Sequence, residues 1–172
     1  LIEITPLASS SRGNAYTITD GVTPILLDCG LPIKELRRRS ELLLTDLAGC
    51  LVTHEHRDHS KAVKDLIRAG VDVYMSAGTA KAIDSAGHRI HLVQAQKQFR
   101  LGSWTILPFE TEHDAAEPLG FLLYSKGAGK VLYATDTYFI RYRFNGLTHI
   151  LIEANYAEDI LKANVEAGAV PN

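Results

Sequence analysis

Residues 49–60 read GCLVTHEHRDHS, and the segment Thr53-His54-Glu55-His56-Arg57-Asp58-His59-Ser60 holds three of the chain's seven histidines. An apolar run, GCLVT, leads straight into this polar cluster. Its pattern is that of a buried strand emptying into a ligand loop. In an extended segment residues two apart point the same way, so His54 and His56 can reach one metal together. Asp58 and His59 open the next helix, where the chain has turned and they face a second position. Imidazoles with a carboxylate suit Zn, Mn or Fe rather than Mg or Ca. His59 lies near a helix N-terminus, where the dipole disfavours imidazolium; a ligating histidine must be neutral. Alone, Asp58 reads as an N-cap for a helix from Ser60, and a single His54 or His56 as an ordinary loop histidine. Together, the H-x-H-x-D-H spacing after a buried strand favours metal.

Other apolar strands end the same way: ILPFETE leads to His113 and VLYAT to Asp136. Polar residues at strand ends converge on one rim of a sheet, where a rigid scaffold presents a site on its loops. His113 is the best candidate for the third ligand of a first metal, and Asp136 is well placed to bridge to a second. Two ions ~3.5–4 Å apart would clamp both oxygens of a displacement. A bound water would then ionise near pH ~7.

The flanking elements follow from periodicity. Strands are expected over residues 1–7, 15–19, 24–28, 49–53, 71–76, 89–93, 98–101, 104–110, 120–125, 130–135 and 149–155. Helices are expected over 32–43, 60–70, 77–87 and 157–168, with Pro32 in a first turn and Gly70 as a stop. ASSSRGN (8–14) reads as a loop and KGAGK (126–130) as a hairpin turn. Strands in runs with helices between them point to packed sheets flanked by helices.

The chain of 172 residues suits one domain, residues 1–172, with 46% hydrophobic and 22% charged residues. It has no apolar run of the ~18 residues a membrane span needs and no signal-peptide pattern. Cys29 and Cys50 are too few for a disulfide framework, which fits a reducing cytoplasm, and each reads as a small buried hydrophobe. A net charge of −2 means that any nucleic-acid binding must come from a local patch. Lys34, Arg37, Arg38 and Arg39 read as a solvated helix face. YFIRYRFN interleaves aromatics with Arg141 and Arg143 and reads either as core aromatics with surface arginines or as a stacking surface for nucleic acid. His88 and His91 read as surface residues, and His149 as a structural imidazole.

LVTHEHRDHS resembles the signature of the metallo-β-lactamase superfamily. LASSSRGNAYTI resembles that family's first hairpin, ILLDCG its supporting aspartate strand, ETEHDAAEPLGFLL its third-histidine loop and KVLYATD its bridging-aspartate strand. EHDAAEP followed by GF resembles one branch, the small bacterial and phage-borne enzymes described as cell-wall-linked DNA exonucleases. The resemblance implies an α/β, four-layer αββα sandwich. It assigns His54, His56 and His113 to metal one and Asp58 and His59 to metal two, with Asp136 bridging. Asp58 and Asp136 become the expected catalytic carboxylates, and Asp28 the residue that fixes the ligand loops by hydrogen bonding. The implied cofactors are two divalent ions, Zn or Mn first and Fe next. The implied chemistry is hydrolysis by a metal-bridged hydroxide, on a phosphodiester of DNA or RNA.

The family's second metal takes a further histidine from a later loop, and no histidine follows His149 here. The last ligand-bearing segment is therefore expected to be missing, with metal two held more weakly than metal one. Thioester or lactone hydrolysis fits the same motif. So does a mono-iron dioxygenase using His54, His113 and Asp136, or a truncated, non-catalytic binding module. Substrate-contacting residues are not assigned.

Overall fold

The computed structural model describes residues 1–40 and 43–153. Two mixed sheets stack face to face. The first runs β1-β2-β3-β4-β5-β6 and the second β11-β10-β9-β8-β7. Sheet one consists of β1 (Glu3–Ser10), β2 (Gly13–Thr19), β3 (Ile25–Leu27), β4 (Cys50–Leu51), β5 (Val73–Met75) and β6 (Ile90–Leu92). Sheet two consists of β7 (Phe99–Leu101), β8 (Trp104–Glu110), β9 (Leu119–Ser125), β10 (Gly129–Ala134) and β11 (His149–Ile152). Pairing is antiparallel from β1 to β3 and parallel from β3 to β6. In sheet two only β10 and β11 run parallel.

Strand alternation sorts side chains into layers. Tyr16, Ile18, Ile25, Leu27 and Leu51 of sheet one point between the sheets, with Trp104, Phe121, Val131 and Tyr133 of sheet two opposite. Their neighbours Ala15, Leu26, Cys50, Val52, Val73 and Met75 face the helices. Those helices are α1 (Ile33–Arg39), α2 (Arg57–Ser60), α3 (Val63–Arg68) and α4 (Ala77–Ala82), which bury Leu36, Val63, Leu66 and Ala80 against sheet one. On the outer face of sheet two, Phe109, Leu132 and Ala134 are covered by Ile140, Tyr142, Phe144 and Leu147 from the irregular segment 137–147. The two expected sheets and one helical layer are thus in place. The helix expected over 157–168 lies outside the described residues.

Two local expectations are corrected. Ala8, Ser9 and Ser10 belong to β1, and Ser10 pairs with Gly13 across a two-residue turn, so 8–14 is a tight hairpin rather than a loop. The Asn14 side chain holds it by accepting from Ser10 N at 3.2 Å. The helix expected over 60–70 is split into α2 and α3. Cys29 causes the break: its carbonyl accepts from Ala62 N at 2.9 Å, and its own N–H donates to His59 O at 2.7 Å. The β3 exit loop thereby replaces a turn of helix and fixes the backbone of His59. Gly70, at φ +88°, ends α3 as expected.

Cys29 and Cys50 are both free and fully buried, and burial pushes the Cys50 thiol up. Among the described residues no helix is long and apolar enough to cross a membrane.

Candidate metal centre

Five ligand-type side chains meet where β4, β8 and β10 run out. His54, His56 and His113 form one group whose ligand atoms lie within 4.8 Å of one another, and His54, His59 and Asp136 form a second. Asp136 Oδ2 lies 2.8 Å from His59 Nε2, 3.4 Å from His54 Nε2 and 3.9 Å from His113 Nε2. His56 Nδ1 and His113 Nε2 are 3.1 Å apart. Asp58 Oδ2 lies 3.5 Å from His59 Nε2, but Asp58 belongs to neither group of converging atoms. His54 is shared between the groups, where the sequence placed it in one. Asp58 does not cap the helix: the N-cap of α2 is His56.

A single buried carboxylate organises the cluster. Asp28 Oδ2 accepts from His59 Nδ1 at 2.8 Å and from the Tyr133 hydroxyl at 2.6 Å. Its Oδ1 accepts from Thr53 N at 2.8 Å, and Thr53 Oγ1 stands 3.0 Å from both oxygens. Thr53 Oγ1 has one proton, which goes to Asp28, so its oxygen accepts from His54 Nδ1 at 3.0 Å. His54 and His59 are therefore both held through Nδ1, and both turn Nε2 toward Asp136. Orienting partners of this kind fix the tautomer and ring direction of metal-binding histidines. Asp28 (φ +54°) and Asp136 (φ +49°) are both left-handed, a conformation that costs a non-glycine residue energy and clusters at functional sites.

The ionisation of the cluster is uneven. Burial depresses His54 to about 3, helped by the neighbouring His59. Burial also works against a charged His59, but Asp28 and Asp136 outweigh it and raise His59 to about 10. The expected helix-dipole effect on His59 is overruled: α2 has four residues, and the two carboxylates sit on both ring nitrogens. The hydrogen bond from His59 holds Asp136 well below the usual carboxylate range. Burial lowers His113.

The donor set fits divalent metal. His54 Nε2 is buried without a hydrogen-bond partner and faces the centre, the state of a nitrogen whose lone pair is reserved for a ligand. Four imidazoles and a carboxylate make a borderline-soft set suited to Zn, Mn or Fe.

Several residues around the centre had no role in the sequence reading. Asn14 Nδ2 lies 3.1 Å from His59 Nε2. Glu55 turns away from the histidines and accepts from Ala116 N at 2.7 Å, tying the two histidine loops together. Glu153, at the end of β11, lines a cavity of about 230 Å3 with His113, Asp136, Thr137 and Tyr138. Burial and the adjacent Asp136 raise Glu153 to about 7. It follows HILI just as Asp136 follows VLYAT, so the strand-end rule would have found it. His149 pairs with Val131, three residues before the site end of β10, and takes no part in the cluster. His91 is not a simple surface residue, since it stacks on Tyr74 at 4.6 Å.

Two stacked mixed sheets with helices on one outer face and a histidine–aspartate cluster at their rim define the metallo-β-lactamase fold. The family model described as the beta-lactamase superfamily domain matches residues 23–166, and the chain belongs to this superfamily. It is 31% identical over 176 aligned residues to the exodeoxyribonuclease WalJ of Streptococcus pneumoniae serotype 2. It is 30% identical over 172 to the exodeoxyribonuclease YycJ of Bacillus anthracis. Each alignment takes in 91% of this chain, which spans 64% of the length of these curated relatives. Among solved structures, the metallo-beta-lactamase fold protein YhfI of Bacillus subtilis aligns with a TM-score of 0.63 at 16% identity, covering 80% of this chain and 62% of YhfI. A Cronobacter sakazakii metallo-beta-lactamase with a HARLDQ motif gives 0.65 at 15% identity, covering 78% and 58%. These structural likenesses speak to the fold.

Proposed function

We propose that the chain is the metal-binding part of a phosphodiesterase acting on DNA. The observation that carries this reading is the unpartnered, buried His54 Nε2 at the meeting point of His56, His113, His59 and Asp136. Its likeness to two exodeoxyribonucleases supports the substrate class.

His54, His56 and His113 would hold one ion, and His59 and Asp136 a second, with Asp58 reaching in beside His59. Bound there, divalent ions supply Lewis-acid polarisation of a phosphoryl oxygen and lower the pKa of water. The protein's own groups set the geometry. Asp28 orients the His59 ring directly and the His54 ring through Thr53 Oγ1. Glu55 keeps the His56 loop in register with the His113 loop. Tyr138 is 84% exposed, with its ring 6.5 Å from that of His113, and offers a face on which a base can stack beside the centre.

The test is release of nucleotides from end-labelled single- and double-stranded DNA with Mn or Zn supplied. Metal-dependent release, lost in His56→Ala, is expected. Hydrolysis of a thioester or lactone with all DNA left intact would overturn the reading.

A further inference from the structure

A polyanionic substrate has to approach a chain whose formal net charge is −2. Many of its arginines are already engaged. Arg38 and Arg39 pair with Glu35, Arg68 with Asp65, Arg89 with Asp72 and Arg141 with Glu112. On α1 the single Glu35 serves both Arg38 and Arg39, while Lys34 and Arg37 form no ion pair among the described residues.

Arg57, Lys61 and Lys64 are set apart by their place beside the ligand loop. All three are exposed, and none forms an ion pair among the described residues. They line one open groove of about 340 Å3, with Glu55, Ile83 and Ser85 also in its wall. Arg57 lies in α2, Lys61 at its C-cap and Lys64 in α3, so the groove gathers them across the break between the two helices. The groove starts at the ligand loop itself, because Arg57 follows His56 directly and Glu55 stands between His54 and His56. Glu55 is its one acid, and one of that carboxylate's oxygens already accepts from Ala116 N. A row of unpaired cations leading away from a hydrolytic centre, on a molecule of slight negative charge, is complementary to a polymer of phosphates. A small neutral ester has no use for it.

We propose that this groove is a backbone track, in which Arg57, Lys61 and Lys64 neutralise successive phosphates of a single DNA strand whose end lies at the metal centre. The inference rests on the nuclease reading and names the substrate form it takes. Lysines and arginines that neutralise phosphates release counterions, so each lowers the logarithmic salt slope of binding by about 0.7 on single strands.

The experiment measures the affinity of the intact protein for a fluorescent, phosphorothioate-linked single strand at several salt concentrations. It compares wild type with R57Q/K61Q/K64Q and with a control of equal charge change outside the groove, K97Q/R100Q/K126Q. The double variant K61Q/K64Q, further from the ligand loop, covers the case in which the triple variant does not fold. The groove triple is expected to lower the salt slope by about 2 and the double by about 1.4, while the control keeps the wild-type slope. Equal slopes for the wild type and the groove variants, or an equal loss in the control, would overturn the track. So would absence of strand binding by the wild type. Wild-type strand binding and slope losses without any DNA cleavage would sink the nuclease reading and leave the track standing.

Discussion

The Asp28 carboxylate accepts from His59 Nδ1 at 2.8 Å, with both side chains wholly buried. The same oxygen also accepts from Tyr133, 105 residues along the chain and on the opposite sheet. One group therefore orients a candidate ligand and ties sheet two to sheet one at the site. Asp28→Asn removes the charge and one acceptor at once. Loss of an orienting partner of this type costs about 10–100-fold in metal affinity or activity. Calorimetric titration with Zn or Mn is expected to show that loss. Tyr133→Phe, which keeps the ring, should instead cost only about 1 kcal/mol of stability. Unchanged metal affinity in Asp28→Asn would remove Asp28 from the account.

Gly30 lets the β3 exit loop lie against α2. A Cβ at this position would stand 1.6 Å from Asp58 O and 2.8 Å from Asn14 N. Both are backbone atoms, so Gly30→Ala must push α2 away and carry Asp58 and His59 with it. A lower melting temperature and a reduced metal content by elemental analysis are expected together. A folded Gly30→Ala protein with full metal content would show that α2 tolerates the shift.

Asp20 gives the fold an acid limit. Burial opposes its charge, but the nearby Ser103 hydroxyl and hydrogen bonds from Ser125 (2.5 Å) and from the backbone of Thr23 (2.9 Å) and Val22 (3.0 Å) bring its pKa down to about 2 from an ordinary 3.8. A carboxyl depressed by folding stabilises above its unfolded value and loses that contribution as pH falls through its folded value. Asp20→Asn should therefore melt lower than wild type at neutral pH, with the gap closing between pH ~4 and ~2. A gap that stays constant with pH would assign the loss to packing.

Tyr138 leaves its ring in solvent, while Tyr142 and Phe144 from the same segment pack on Phe109. If it stacks a base, Tyr138→Ala should weaken oligonucleotide binding by about 1–3 kcal/mol per base contact, and Tyr138→Phe should restore it. A KM for DNA equal to wild type in Tyr138→Ala would exclude the contact.

Period-two alternation and strand-end polar residues made the sheets and five ligand-type residues readable from sequence. What escaped depends on contacts between distant segments. Tyr133 reads as one more apolar position in VLYAT, and only the stacking of the sheets brings its hydroxyl to Asp28. The break after α2 was hidden because Ala62, Val63 and Leu66 keep helical spacing across it, and the competing hydrogen bonds come from Cys29. The raised pKa of His59 followed from two carboxylates at sequence distances that no local pattern shows. The divided role of His54 arises because Asp136, 82 positions away, places its oxygen between His54 and His59.

Metal binding by His54, His56, His113, His59 and Asp136 underlies the proposed hydrolysis. Anomalous diffraction at the Zn or Mn edge, from crystals grown with that ion, tests it most directly. The strongest peak is expected among His54, His56 and His113, with a weaker one between His59 and Asp136, whose donors are already engaged with each other. No anomalous peak within ligand distance of His54 Nε2 would contradict the claim.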